Sequence, residues 1–249
     1  MEPQNSPIGI KGNILITGAS RGLGKAIAEK FAMNDYNLYL SSRNEVALYK
    51  AMEELQTKYP SITIKAKAFD LSIKDEAKAL GKWILSLGIS IDILINNAGD
   101  FLPGNVYDEE EGTLEKMIEV NLYGAYHLTR TLLPKMMQQD YSAGSRGHIF
   151  NMCSIASLDA YRNGGSYSIS KFALAGFSKN LREELKEYLI KVTAVYPGAA
   201  YTDSWIGSGV DKKRIMEAKD IADMSYAASQ LSPQATVEDI ILRPQLGDL

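Results

Sequence analysis

Tyr167 and Lys171 stand four positions apart in a stretch whose apolar spacing predicts a helix, so their side chains share one face. A free phenol, with a pKa of about 10, exchanges protons poorly at neutral pH, but an ammonium one turn away favours the phenolate and makes the pair a candidate general acid. A second chemistry is written near the start of the chain, where Thr17-Gly18-Ala19-Ser20-Arg21-Gly22-Leu23-Gly24 follows a short apolar run and opens the amphipathic stretch Lys25–Met33. Glycines allow the backbone to approach a pyrophosphate, and a helix start offers unpaired N–H groups and a positive dipole end. The spacing is G-x-x-x-G-x-G rather than G-x-G-x-x-G, which leaves the side chains of Ser20 and Arg21, beside Leu23, at the phosphates.

About 20 residues beyond such a turn, a NAD-binding chain places an acid on the adenosine ribose. Here the position reads Ser41-Ser42-Arg43. The planar fork of Arg43 suits a 2′-phosphate, Arg21 lies across the same expected pocket, and no carboxylate is expected to oppose them, so NADP(H) is the expected cofactor. Asp70-Leu71, at the end of the third predicted strand, are expected beneath the adenine, the carboxylate accepting from its exocyclic amine.

These residues need a scaffold. Short β-branched or aliphatic runs at Asn13–Thr17, Leu38–Ser42, Thr63–Asp70, Ile91–Asn96, His148–Ser154, Val192–Pro197 and Ile240–Leu242 alternate with helical patterns. The helices are expected at Gly22–Met33, Glu45–Tyr59, Lys74–Leu87, Thr113–Gln138, Tyr167–Ile190 and Ala218–Gln230. That order predicts an α/β fold: a single doubly wound Rossmann-like domain with a seven-stranded parallel sheet and helices on both faces. No linker or repeat divides residues 10–249, and residues 1–9 are expected to be a disordered lead-in. Segment 203–219, with Gly207, Gly209, Trp205 and Lys212-Lys213-Arg214, is expected to be a mobile lid over the carboxyl edge of the sheet.

Composition narrows the partners. The 249 residues carry 27 Lys+Arg against 30 Asp+Glu, so bulk charge attracts neither nucleic acid nor anionic membranes. The most apolar stretch, Trp83–Ile95, is broken by Gly88 and Asp92, and no run is long enough to span a bilayer. One cysteine and a start without the basic and apolar regions of a secretory signal point to the cytoplasm.

Six motifs occur in order: Thr17 to Gly24, Asn96-Asn97-Ala98-Gly99, Val120-Asn121, Ser154, Tyr167-Ser-Ile-Ser-Lys171 and Pro197-Gly198-Ala-Ala-Tyr-Thr202. Together they resemble the short-chain dehydrogenase/reductase family, in its form of about 250 residues, from Asn13 to Leu242. The resemblance implies hydride transfer between a nicotinamide and a carbonyl or alcohol, with Tyr167 giving the proton to the developing alkoxide. Ser154 would polarise the carbonyl, stabilising charge that grows only in the transition state. It further implies that Lys171 lowers the phenol pKa and bonds the nicotinamide ribose, and that Asn121 interrupts the fourth helix and holds a water linking Lys171 to solvent. The turn at Asn97, Ala98 and Gly99 would line the adenosine ribose. Pro197, Gly198 and Thr202 would face the nicotinamide, Thr202 bonding its carboxamide.

Other features carry plainer expectations. The position before Ser154, often a second serine in the family, is Cys153, read as a small buried thiol. Ser157, Ser166 and Ser168 do not end the fifth strand and so do not displace Ser154. His127 and His148 lack partners at metal-ligand spacing, so no metal is expected. The run Asp108-Glu109-Glu110-Glu111 is read as complementing the dipole of the helix at Thr113. The fourth and fifth helices carry Met117, Leu122, Tyr126, Phe172, Phe177 and Leu181, more apolar residues than one sheet face needs; in the family these helices pair, implying a homodimer or homotetramer. The segment from Pro197 to Trp205 and the last twelve residues look like those of sepiapterin reductases and their bacterial relatives, as does Ser41-Ser42-Arg43. On that likeness Trp205 and Tyr161 could clamp a flat ring and Asp248 hold an amino-pyrimidine edge; equally, Trp205 could anchor the lid and Asp248 lie in a frayed tail. Three functions stay open: reduction of a ketone, aldehyde or dicarbonyl, reduction of a pterin side chain, and a non-catalytic NADP(H) sensor or scaffold.

Overall fold

In strand β1 (Gly12–Thr17), Ile14 and Ile16 join one core cluster and Leu15 the opposite one, all three fully buried. This two-residue alternation between two apolar faces is what a sheet covered on both sides demands. The computed structural model describes residues 9–141, 144–202, 205 and 209–248. In it β2 (Tyr36–Ser42), β3 (Ile64–Ala68), β4 (Ile93–Asn96), β5 (Gly147–Met152), β6 (Ile190–Pro197) and β9 (Asp239–Leu242) complete a seven-stranded sheet in the order β3-β2-β1-β4-β5-β6-β9. Every pairing is parallel. One face is covered by α1 (Gly22–Ala32), α2 (Glu45–Lys58) and α7 (Ala218–Ser229), through residues such as Phe31, Leu48 and Ile221. The other is covered by α3 (Lys74–Ser86), α5 (Gly124–Met136) and α6 (Gly165–Leu185), through Leu80, Leu128 and Leu181. Because chain order reverses between β1 and β4, a crevice opens beyond their carboxyl ends, where doubly wound folds bind ligands.

Several boundaries differ from the periodicity, each for a local reason. The third strand ends at Ala68, not Asp70, because the Asp70 N–H leaves the ladder and donates to the Glu76 carboxylate (2.6 Å). The helix expected to reach Ile190 stops at Leu185; a 3-10 turn at Lys186–Tyr188 and Leu189, with φ of 56°, reverse the chain so that β6 starts at Ile190. The expected helix Thr113–Gln138 is three pieces: α4 (Thr113–Ile118), a π-helical turn (Glu119–Tyr123) and α5. The interruption falls on Asn121, as the resemblance implied. Two expected surplus apolar residues, Met117 and Leu181, are buried within this chain, whereas Phe172 is 45% exposed.

The lead-in and the lid lie partly outside the described residues: 1–8, 203, 204 and 206–208. The described part of the lid holds a 3-10 turn (Lys212–Arg214) and the short strand β8 (Met216–Glu217), which pairs in parallel with β7 (Ala200–Tyr201). Residues 218 and 219, expected within the lid, already belong to α7. Among the described residues, no helix is long and apolar enough to cross a membrane, and no three of His, Cys, Asp and Glu gather as metal ligands.

Candidate active site

The glycine turn has the backbone its residues were expected to allow. Gly18 has φ of +64°, and a Cβ there would meet Asn97 Nδ2 at 2.8 Å and Ala98 Cα at 3.0 Å. A Cβ on Gly24 would overlap the Gly18 carbonyl, and Gly22, with φ of +55°, lies under Thr202. No side chain caps α1 at Arg21, so the N–H groups of its first turn are left without a capping side chain, as an anion site would require. Across the crevice the Asn97 and Ala98 amides both donate to Thr17 Oγ1 at 2.9 Å, and Asn97 Nδ2 donates to the Thr17 and Gly18 carbonyls. Thr17 therefore ties the glycine turn to the turn after β4. Its place at the end of β1, directly before the glycines, is the signal in the chain for this role.

The Ser42 hydroxyl lies 2.9 Å from that of Ser20, joining the end of β2 to the glycine turn. Arg43 follows on the exposed rim, and Arg21 is also exposed. One expectation fails here: a carboxylate does oppose Arg43, because Asp100 Oδ2 approaches its guanidinium at 3.8 Å. Asp100 comes immediately after Gly99, and only the fold brings the end of β2 and the exit of β4 to the same rim. Both side chains are more than half exposed, so water screens the pair and leaves it weak. Asp70 accepts from the Ser72 N–H (3.0 Å) and hydroxyl (2.7 Å), so one of its oxygens serves a local turn. Leu71 is buried against Gly124, where a Cβ would meet the Leu71 carbonyl at 2.7 Å.

Beside this crevice the sheet edge and α6 bring together a buried polar cluster. Lys171, 6% exposed, donates from Nζ to the Met152 carbonyl at 2.9 Å and lies 5.8 Å from the centre of the Tyr167 ring. The π turn points Asn121 inward, its amide donating to Ser170 Oγ (2.9 Å) and the Asp100 carbonyl (3.1 Å) while Oδ1 accepts from Asp100 N–H (2.9 Å). Such turns insert one residue into a helix and often mark functional positions. Gly99 closes the cluster, since a Cβ there would lie 2.7 Å from Asn121 Oδ1 and 3.4 Å from Lys171 Nζ. The fifth strand stops at Met152 rather than at Ser154, which lies two residues beyond it and caps a 3-10 turn (Ile155–Ser157) packed on α6, its Oγ accepting from Ala156 N–H at 3.2 Å. A hydroxyl that accepts can still donate to a ligand. The Tyr167 ring meets Phe101 edge-on, with centroids 4.9 Å apart. Cys153 is buried, which pushes its thiol up to about 11 and keeps it protonated, as the sequence reading expected.

On the open side, the half-exposed Tyr161 has its phenol pushed up to about 12, first by burial and then by the neighbouring Tyr167 phenol. Trp205 N–H donates to the Thr202 carbonyl at 2.9 Å, bringing Trp205 back toward Gly22. Pro197 ends β6, and Gly198 donates to the Leu242 carbonyl at 2.7 Å. The tail is not frayed. Arg214 donates to the Gly247 (2.9 Å) and Asp248 (3.0 Å) carbonyls, Arg243 pairs with Asp248 and with Asp159 (2.8 Å), and a Cβ on Gly198 would lie 3.1 Å from Asp248 Oδ1. The acidic run is also placed differently from its reading: Glu109 binds the start of α6 rather than that of α4. The histidines stand apart, His148 buried on Thr193 and His127 on the α5 surface between Tyr123 and Tyr126.

Residues 12–212 match the model of the short chain dehydrogenase family. The chain is 34% identical over 245 residues to a sepiapterin reductase of Chlorobaculum tepidum, covering 95% of this chain and 97% of that one. It is 30% identical over 216 residues to an (S)-acetoin-forming diacetyl reductase of Staphylococcus epidermidis, covering 86% and 81%. Among solved structures, an alcohol dehydrogenase from the archaeon Thermococcus sibiricus complexed with 5-hydroxy-NADP superposes with a TM-score of 0.85 at 25% identity, covering 96% of this chain and 98% of that one.

Proposed function

The chain belongs to the short-chain dehydrogenase/reductase family, and from that premise we propose that it is an NADPH-dependent reductase of a ketone, aldehyde or dicarbonyl, with Tyr167 as the general acid. The observation that carries this reading is the buried grouping of Gly99, Asn121 and Lys171 beside Tyr167, at the carboxyl edge of the same sheet that holds the glycine turn. The cradle fits a dinucleotide: the Cβ-free approach at Gly18, the uncapped start of α1 and the rim arginine suit a pyrophosphate and a 2′-phosphate. When bound, the reduced nicotinamide supplies hydride. Ser154 donates to the carbonyl oxygen and holds the charge that builds there; Tyr167 gives that oxygen its proton. Lys171, anchored by the Met152 carbonyl, keeps its cation on the face of α6 that carries the phenol. Asn121 fixes Ser170, one residue before Lys171, to the segment leaving β4. Gly18, Ser20, Arg21, Gly22, Leu23 and Gly24 hold the pyrophosphate, while Ser42 and Arg43 take the 2′-phosphate and Asp70 and Leu71 the adenine. Asn97, Ala98 and Gly99 line the ribose, and Pro197, Gly198 and Thr202 face the nicotinamide.

A second reading, reduction of a pterin side-chain carbonyl, is favoured by the likeness to the Chlorobaculum tepidum sepiapterin reductase and by Tyr161 and Trp205 on the open side. The exposed Phe172 and Ile169 of α6 and Tyr123 of the π turn support a homodimer or homotetramer built on these helices. A non-catalytic sensor would not need the intact Asn121, Ser154, Tyr167 and Lys171 set.

The test is Tyr167→Phe, with turnover followed by loss of reduced-nicotinamide absorbance over sepiapterin, diacetyl, quinones and ketoses. NADPH binding is expected to persist while reduction slows by at least about a hundredfold, the scale of a lost general acid. Unchanged turnover would remove Tyr167 from the mechanism.

A further inference from the structure

Glu109 belongs to the loop between β4 and α4, yet its carboxylate is bound at the start of the helix that carries Tyr167. Oε1 accepts from the Ser166 N–H at 2.8 Å, and Oε2 accepts from the Ser166 hydroxyl. The slot it fills is made by two glycines. A Cβ on Gly104 would lie 2.6 Å from Glu109 Cγ, and a Cβ on Gly165 would overlap Oε1 and come within 2.6 Å of the Gly104 carbonyl. Gly165 also has φ of +26°, which side chains rarely adopt. The same loop meets the helix at further points: Gly104 N–H donates to the Asn163 carbonyl (3.1 Å), and Phe101 packs edge-on against the Tyr167 ring (4.9 Å).

From this arrangement we infer that Glu109 is a positioning residue for Tyr167. It satisfies one of the N–H groups that a helix start leaves open and places negative charge at the positive end of α6. Its bond is to the residue immediately before Tyr167, so it sets the rotation and height of the first turn, while Phe101 fixes the ring from the side. Loop 100–112 thereby becomes one wall of the catalytic geometry, joined to Asn121 through Asp100 at its start and to α6 through Glu109 near its end. A misplacement of about 1 Å in a reacting group can cost about a hundredfold in rate. Freeing this turn is therefore expected to act on kcat.

The inference rests on Tyr167 being the general acid, and its test separates the two. Glu109→Ala, Glu109→Gln and Gly165→Ala are compared with the wild type for NADPH affinity, kcat and KM on the best carbonyl of the panel above, and backbone amide exchange over residues 164–168. Glu109→Ala and Gly165→Ala are expected to lower kcat about tenfold or more, with NADPH affinity within about twofold, and to speed exchange in the first turn of α6. Glu109→Gln keeps an acceptor for the N–H and a donor for Ser166 Oγ, so it is expected to restore most of kcat and of the exchange protection. Faster exchange with kcat unchanged would make the contact merely structural and overturn the inference, as would a Gln variant no better than Ala. If no carbonyl is turned over by the wild type, the reductase reading fails; the exchange arm then still decides the contact, and unprotected amides would end the inference on their own.

Discussion

Replacing Thr17 by Val tests whether one hydroxyl holds the two sides of the cofactor crevice together. The Thr17 side chain is 1% exposed; its Oγ1 accepts from the amides of Asn97 and Ala98, both at 2.9 Å, and donates to the Ile95 carbonyl at 3.3 Å. That uses the full capacity of a hydroxyl, one donor and two acceptor sites. Valine has nearly the same shape, so packing survives, but the Ala98 N–H in the wall of the crevice loses its acceptor, whereas the Asn97 N–H keeps the Ile95 carbonyl at 3.1 Å. Such a loss costs about 1–3 kcal/mol, and because the turn is only partly buried the lower half applies, giving about 1–2 kcal/mol. For a chain of this size that corresponds to a fall in Tm of roughly 2–8 °C. Urea unfolding of the wild type, Thr17→Val and Thr17→Ser measures it, with Ser expected within about 1 kcal/mol because the hydroxyl stays. The Asn97–Gly99 turn is expected to loosen as well, so NADPH should bind more weakly to Thr17→Val than to Thr17→Ser. A Val variant within about 0.5 kcal/mol of the wild type would refute the reasoning, since the Ala98 amide would then have found another acceptor.

Two further outcomes follow from the charges. Arg43→Ala is expected to weaken NADPH far more than NADH, whereas Asp100→Asn, which frees Arg43 from its carboxylate, should tighten NADPH by about two- to fivefold at low salt and leave NADH unmoved, as befits a screened surface pair. Isothermal titration with both nucleotides checks this, and equal changes for the two would remove the phosphate assignment. His148 is held near pKa 3 by burial and, secondarily, by Lys191, well below its ordinary 6.5. Between those values the unfolded chain binds a proton the folded chain refuses, so this residue's contribution is whole above pH 6.5 and is lost as pH falls toward 3. At about 1.4 kcal/mol per pH unit, the wild type should lose about 2 kcal/mol more than His148→Gln between pH 6.5 and 5, read from urea midpoints; parallel pH curves would contradict it.

The pattern of apolar residues was enough to give the seven strands, their parallel order of connection and the helices between them, because period and burial are local consequences of backbone geometry. The glycine turn, the Tyr167–Lys171 spacing and the serine just after β5 were legible for the same reason: each motif carries its chemistry within one turn or beside one strand end. What failed locally was decided by single groups, such as the positive φ of Leu189 that ends α6 early and the Glu76 carboxylate that draws Asp70 out of β3. The contacts that hold the site in place lay beyond any window of sequence. Thr17 meets Asn97 across 80 positions, and Glu109 meets Ser166 across 57. Arg43 finds Asp100 only because β2 and β4 flank β1 and end on one rim. Loop 100–112 has neither apolar period nor capping signal to announce its partner. Its acidic residues read as solvated until α6 is packed beside them, and which one finds a donor is fixed by where two glycines leave room. Residue types set which bonds this chain can make; the packing of helices on the sheet selects which of them form.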